Sequence, residues 1–219
     1  MQVCIITTGG TIDKDYPRST GGYAFEIDEP AIIRILDQQT QLKERNDIQY
    51  EIVSVCRKDS MEITSQDREK ICNIIRERPF IKRFLITHGT DTLIETAQYI
   101  DKNGCCAPEK EDTEGKVVVC TGAMKPERFK DSDATFNVGG AFVGLGVLPL
   151  PTSPFSNRSS VYICMGGVLL DCRKCTRDEK TGVFKKKTAI KDQLEKPPSK
   201  LPSKPPPEAP QVWFHDAYT

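Results

Sequence analysis

The stretch ITHGTDTLIETA, residues 86–97, decides the architecture into which the rest of the chain must fit. It begins as the end of an apolar strand, turns through a histidine, a glycine and a Thr-Asp-Thr triplet, and continues with the apolar spacing of a helix. A strand that passes through a short turn into a helix is the first half of a β-α-β unit. The stretch therefore predicts a parallel sheet with a polar turn at the carboxyl end of one strand.

The same alternation of short apolar runs and helical patterns extends over most of the chain. The runs are apolar on both faces, which is typical of strands buried in a parallel sheet. The segment 64–78 begins with Thr64, a residue that commonly caps helices. We therefore predict an α/β fold of three layers, α-β-α, with a mostly parallel sheet. The predicted strands are 3–7, 52–55, 84–87, 117–121 and 161–165, and the predicted helices are 29–39, 64–78, 92–100 and 136–148.

Composition narrows the class of protein. The 31 lysines and arginines balance the 31 aspartates and glutamates, so no global charge attracts nucleic acid or an anionic membrane surface. No segment approaches the roughly 20 apolar residues of a membrane span, and the N-terminal run is interpreted as a first strand, not a signal peptide. Nine cysteines without a repeating spacing favour reduced thiols. We expect a cytoplasmic protein that contacts neither nucleic acid nor membrane.

The last 29 residues differ in composition from the rest. Segment 191–219 is rich in proline and lysine and is predicted to be a disordered tail on a domain of residues 1–190. A solvated tail is favoured over a PxxP ligand for a partner domain. The partner of the tail, if it has one, is unknown.

Two hydroxyl-rich turns follow predicted strands and therefore open at the same edge of the sheet. In TTGGTID, residues 7–13, a glycine pair lets the backbone turn sharply and brings main-chain N–H groups close to a ligand. A tight turn whose threonines bond their own backbone is the alternative. A phosphate-binding loop is disfavoured because the lysine of that motif is missing.

The second turn, THGTDT at residues 87–92, offers a possible nucleophile beside an acid. Thr90 and Asp91 lie at the start of a predicted helix, where free N–H groups favour a carboxylate-bearing ligand. A helix-capping cluster is the alternative, although capping needs only one such residue. His88 is expected to shape this turn and not to act as a base.

With CTGAMKPERFKDSDATFN, residues 120–137, the two turns resemble three signatures of the bacterial-type L-asparaginase family. The resemblance covers about residues 1–190 and is closest to short-chain members that lack the C-terminal domain. It implies the fold of the N-terminal domain of these enzymes and the hydrolysis of L-asparagine to L-aspartate and ammonia without a cofactor. It also implies a homodimer or higher homo-oligomer, for which the glycine-rich segment 136–148 offers a close-packing surface.

The resemblance implies five catalytic residues. Thr11 matches the nucleophile that forms a covalent acyl intermediate, and Tyr23 matches a lid tyrosine that handles the proton of the nucleophile. Thr90 and Asp91 match the second Thr–Asp pair, in which the aspartate also receives the substrate's α-amino group. Arg177, in DCRKCTR, stands where the family has a lysine. Arginine supplies charge but cannot act as a base, unless Lys174 or Lys180 takes over that role.

The resemblance also implies a set of substrate contacts. Ser60 matches a serine that holds the substrate's α-carboxylate, with Asp59 beside it, and the N–H groups around Gly89 and Thr90 match the oxyanion site. The predicted substrate-binding residues are Gly10, Asp59, Ser60, Gly89, Thr90 and Asp91. Because Arg177 stands in place of the family lysine and the resemblance is to members without the C-terminal domain, the alternative is a catalytically weak or inactive protein that binds a small amino acid and signals to a partner.

Cys172 and Cys175 form a CxxC pair in the same segment as Arg177. A zinc site needs two more ligands at a suitable spacing, and the sequence offers none. Ordinary reduced thiols are the favoured interpretation, with a redox pair as the alternative.

Overall fold

The computed structural model describes residues 1–16, 25–44, 47–108, 114–153 and 159–187. Tyr23 and the predicted tail 191–219 lie outside these ranges, so the domain boundary at residue 190 stays a prediction. The strands are β1 (Gln2–Gly9), β2 (Lys14–Asp15), β3 (Glu26–Ile27), β4 (Gln49–Lys58), β5 (Arg83–Thr87), β6 (Val117–Thr121), β7 (Val161–Met165), β8 (Val168–Asp171), β9 (Cys175–Arg177) and β10 (Phe184–Lys186), and the helices are α1 (Ala31–Asp37), α2 (Thr40–Glu44), α3 (Ser65–Arg76), α4 (Leu93–Lys102) and α5 (Ala134–Val147).

One sheet of six strands, in the order β4-β1-β5-β6-β7-β8, forms the middle layer. The first five strands are parallel to one another and β8 is antiparallel to β7, which confirms the predicted mostly parallel sheet. The chain leaves β1 for β4 on one side and then crosses to β5 on the other. In sheets of this kind, such a reversal of direction forms a crevice at the carboxyl ends of the strands, here at the end of β1, where ligands bind.

The two faces of the sheet bury separate apolar clusters, which confirms the three-layer arrangement. Successive side chains of a strand point to opposite faces. In β1, Cys4 and Ile6 join the cluster that includes side chains of α3 and α4, while Val3 and Ile5 join the cluster that includes α1 and α5. Helices α1, α3, α4 and α5 therefore cover the two faces of the sheet with buried apolar side chains.

Three sequence predictions need correction. Residues 52–55 were predicted to be buried on both faces, but β4 is the outermost strand, so Ser54 is exposed and its neighbours are only half-buried. The helix predicted over 29–39 is shorter at both ends, since α1 spans Ala31–Asp37 and α2 begins only at Thr40. Strand β8 was missed, although Gly166 and Gly167, with φ of 58° and 77°, form the tight turn that joins it to β7.

Helix α5 has two different glycine faces. A side chain at Gly140 would meet the sulfur of Cys164 at 3.0 Å, whereas Gly139 and Gly146 have nothing within 4 Å. The inward glycine lets the helix pack closely on the sheet, and the outward ones leave an open apolar surface. The predicted homo-oligomer stays a prediction. No helix in the described part of the chain is long and apolar enough to cross a membrane.

Candidate active site

The turn after β1 depends on two glycines in a conformation that other residues avoid. Gly9 and Gly10 have φ of 96° and 89°, and with ψ of −175° Gly10 lies in a region that is almost exclusive to glycine. The N–H of Gly10 donates to the carbonyl of Lys58 at 3.0 Å, which anchors the turn to the end of β4. The chain then enters a short 3₁₀ helix, Thr11–Asp13, that places half-buried Thr11 at the edge of the crevice.

A glycine–glycine contact joins this turn to the one after β5. A Cβ atom on Gly10 would lie 2.4 Å from the Cα of Gly89, and a Cβ on Gly89 would lie 2.7 Å from the Cβ of Ser60. Only hydrogens at both positions let the three segments approach so closely. The structure therefore brings together the predicted residues Gly10, Ser60 and Gly89, with Thr11 and Thr90 as their chain neighbours.

Ser60 is held by contacts that sequence analysis missed. It opens a 3₁₀ helix, Ser60–Glu62, whose N-cap is Asp59. The Thr92 hydroxyl donates to the carbonyl of Ser60 at 2.6 Å and makes no cap bond to its own helix, so the interpretation of this turn as a capping cluster is wrong. The turns at residues 60 and 92 are thereby fastened to each other.

Asp59 is occupied by partners of its own. Its carboxylate accepts a hydrogen bond from Lys14 Nζ at 2.8 Å, and this bond keeps the pKa of Asp59 below its ordinary value. Lys14 follows the Thr11 turn directly, so a cation lies beside the crevice where sequence analysis placed none. A direct contact of Asp59 with substrate stays a prediction.

Arg177 reaches the Thr90–Asp91 turn, as the resemblance of DCRKCTR to the family pattern implied. Its Nη1 donates to Asp91 Oδ1 at 2.6 Å. The guanidinium lies 6.0 Å from the ring centre of Phe184, its register partner in the β9–β10 hairpin. Its Nε is buried and has no acceptor in the described part of the chain. Neither Lys174 nor Lys180 makes the contact with Asp91 that Arg177 makes.

Asp13 is a buried acid behind the Thr11 turn that sequence analysis also missed. It is 1% exposed, and one oxygen accepts the N–H of Ala31 at 2.7 Å, at the start of α1. Burial raises the pKa of Asp13 to about 7, although the Ala31 N–H and the nearby Arg34 oppose the shift. The only sequence signal was its place in TTGGTID.

Cys172 and Cys175 are both buried and free. No group of three or more side chains suited to a metal ion occurs among the described residues. Neither the zinc site nor the redox pair therefore gains support from the surroundings of these thiols.

The fold and the site together define a class of protein. It is a three-layer α/β domain whose glycine-bearing turns meet at the point where the strand order of its parallel sheet reverses. The family model described as Asparaginase, N-terminal, matches residues 2–187. The chain belongs to this family, which confirms the resemblance found in its sequence.

Individual relatives agree with that assignment. The chain is 28% identical to L-asparaginase 2 of Escherichia coli over 182 residues, which are 83% of this chain and 47% of that protein. It is 26% identical to a probable periplasmic L-asparaginase of Haemophilus influenzae, again over 83% of the chain and 47% of the relative. The chain thus spans about half the length of the curated relatives it matches.

Solved structures share the fold at lower identity. The thermostable L-asparaginase of Thermococcus kodakarensis superposes with a TM-score of 0.66 at 20% identity, covering 85% of this chain and 51% of that one. L-asparaginase I of Vibrio cholerae gives 0.62 at 19% identity, covering 84% and 51%.

Proposed function

We propose that this chain is an amidohydrolase that converts L-asparagine to L-aspartate and ammonia, with Thr11 as the nucleophile. The observation that carries the proposal is the contact of Gly10 with Gly89 and of Gly89 with Ser60, which gathers three turns at one point of the crevice. An amino-acid amide needs an anion site, a cation site and a hydroxyl near its carbonyl. The three turns supply Ser60, Asp91 and Thr11 for these roles.

The chemistry follows from these roles. The Thr11 oxygen attacks the side-chain carbonyl carbon of asparagine, and the N–H groups of Gly89 and Thr90 stabilise the negative oxygen that forms. The C–N bond then breaks, and the amide nitrogen leaves as ammonia with the proton that Thr11 gave up. Water hydrolyses the resulting ester, which releases aspartate and restores the hydroxyl.

The charges around the crevice fit a zwitterionic ligand. Ser60 would bind the α-carboxylate, with Lys14 as a cation close by, and the carboxylate of Asp91 would bind the α-amino group. Arg177 fixes Asp91 in place, since its guanidinium bonds one carboxylate oxygen at 2.6 Å. Tyr23 is the proposed carrier of the Thr11 proton and lies outside the described residues.

A second candidate, a protein that binds a small amino acid without hydrolysing it, is favoured by Arg177. Guanidinium groups stay protonated in proteins, so Arg177 orients Asp91 but accepts no proton. If a base is essential at this position, the site would bind its ligand and leave the amide intact. The two candidates use the same crevice and differ only in turnover.

Ammonia release from L-asparagine by the purified chain separates the candidates. The hydrolase predicts release that is abolished in Thr11→Ala. The binding protein predicts no release from the parent and a thermal shift with L-aspartate or L-asparagine that Asp91→Ala removes. Arg177→Lys restores release if the missing base is the cause. Arg173→Lys is the matched control, because Arg173 lies in the same segment but pairs with Asp101.

We also propose a cytoplasmic location. All nine cysteines lie in described segments and are free thiols, which suits a reducing compartment. Alkylation of the freshly lysed protein should label nine thiols after denaturation, and fewer labels would contradict the proposal.

A further inference from the structure

A chain of buried hydrogen bonds ends at the peptide between Gly89 and Thr90. His88 Nδ1 lies 2.8 Å from the carbonyl oxygen of Gly89, and His88 Nε2 lies 2.9 Å from the hydroxyl of Thr96. The Thr96 hydroxyl in turn accepts the Nε–H of Arg68 at 3.0 Å. His88 and Thr96 are 1% exposed and Arg68 is 6% exposed, so water does not compete for these bonds. The chain connects α3, α4 and the end of β5.

The two ends of this series of bonds and the charge of the ring fix the direction of each bond. A guanidinium only donates and a carbonyl only accepts, so Nδ1 of His88 carries the ring proton that bonds Gly89. In a neutral ring Nε2 is then an acceptor, and the Thr96 hydroxyl donates to it. Burial lowers the pKa of His88 to about 4, with the charge of Arg68 adding to the effect, so the ring is neutral and only this tautomer fits.

The backbone of His88 is held independently of its ring. Its N–H donates to the carbonyl of Thr121 at 2.9 Å, and its own carbonyl lies against Gly122, where a Cβ would approach within 2.3 Å. These two contacts position the backbone at the start of the turn after β5 without involving the ring. What the ring adds is a hydrogen bond to the carbonyl of Gly89.

We propose that His88, Thr96 and Arg68 form a positioning relay that polarises the Gly89–Thr90 peptide, so that the N–H of Thr90 becomes a stronger donor at the oxyanion site. A hydrogen bond to a carbonyl strengthens the donor on the other side of the same peptide, and bonds in a buried chain reinforce one another. The Thr90 N–H has no acceptor in the described part of the protein. The positive charge of Arg68 acts through two neutral groups and does not touch the substrate. This inference rests on the proposed hydrolysis.

The kinetic test compares two substitutions of one residue. Thr96→Val keeps the shape of the side chain but removes the hydroxyl, which breaks the hydrogen-bonded connection between Arg68 and His88. Thr96→Ser keeps the hydroxyl and therefore the connection. Loss of an entire oxyanion donor lowers kcat by about 10²–10³-fold, so a weakened donor should lower kcat by about 10-fold in Thr96→Val. KM should stay within about 2-fold because ground-state binding is unchanged. Equal kcat in both variants and the parent would overturn the relay.

Nitrogen NMR of the His88 ring tests the relay separately from turnover. In the parent and in Thr96→Ser, Nδ1 should appear protonated and Nε2 unprotonated, and the Thr90 amide proton should shift upfield in Thr96→Val. A parent that releases no ammonia but shows these signals would refute the hydrolase and retain the relay. A ring protonated at Nε2 would overturn the relay whether or not the parent is active. This measurement is made on the parent protein, so it does not depend on a variant that folds.

Discussion

Replacing Gly10 by alanine should lower the free energy of unfolding by more than the backbone strain of an alanine at this position, and should also lower activity. The alanine would adopt φ of 89° and ψ of −175°, at a strain of about 1–3 kcal/mol. Its methyl group would lie 2.4 Å from the Cα of Gly89, where carbon atoms normally stay about 3.5–4.0 Å apart. Overpacking of this kind adds about 1–3 kcal/mol, so the total approaches about 4 kcal/mol. A displacement of about 1 Å between the turns should also reduce hydrolysis by about 100-fold.

Two other glycines separate the contributions. Gly104 has φ of 65° with nothing within 4 Å, so Gly104→Ala measures the backbone strain alone, at about 1–2 kcal/mol. Gly139 lies in α5 and faces open space, so Gly139→Ala should be neutral or stabilising by up to about 1 kcal/mol. Urea unfolding at constant m-value gives the three free energies. If Gly10→Ala costs no more than Gly104→Ala, the contact between the two turns does not exist.

Three further outcomes are expected. Burial raises the pKa of Asp13 from 3.8 to about 7, so the folded state binds this proton more tightly than the unfolded state. The free energy of unfolding should therefore fall by up to roughly 4 kcal/mol between pH 4 and pH 7, relative to that of Asp13→Asn. Parallel plots of unfolding free energy against pH for the two proteins would contradict this. Thr64 closes a capping box with Asp67, so Thr64→Ala should lose about 1 kcal/mol in urea unfolding, and an unchanged midpoint would refute the cap. If two copies of the chain pack through α5, whose Val143 is 66% exposed, Val143→Glu should lower the mass in light scattering to that of one chain; a parent of single-chain mass would refute the packing.

The sequence predicted the buried parts of the fold better than its edges. The runs 117–121 and 161–165 match β6 and β7 residue for residue, because each is apolar on both faces and flanked by polar or glycine residues. Residues 52–55 have the same apolar pattern, yet β4 lies at the edge of the sheet. The local sequence pattern does not predict the order of strands in a sheet. Local spacing identifies a strand but not its neighbours.

The candidate site divides in the same way. Residues within the two turns were predictable because glycine and threonine follow strands there, and Arg177 because its segment matches a known one. The bond from Lys14 to Asp59 and the relay through His88 and Thr96 join residues far apart in the chain. Such contacts depend on how helices sit on the sheet, which one sequence without its structure does not reveal.

The order of strands in the sheet has a consequence for synthesis. Strand β1 leaves the ribosome before both of its partners, β4 and β5, and β5 is complete only at Thr87. At about 5–20 residues per second, the roughly 80 intervening residues take about 4–16 s. During that interval the apolar run VCIIT, with two unpaired edges, is exposed to other chains. Chaperone binding to nascent chains should therefore be strongest before residue 87 emerges, and should decline once β5 pairs with β1.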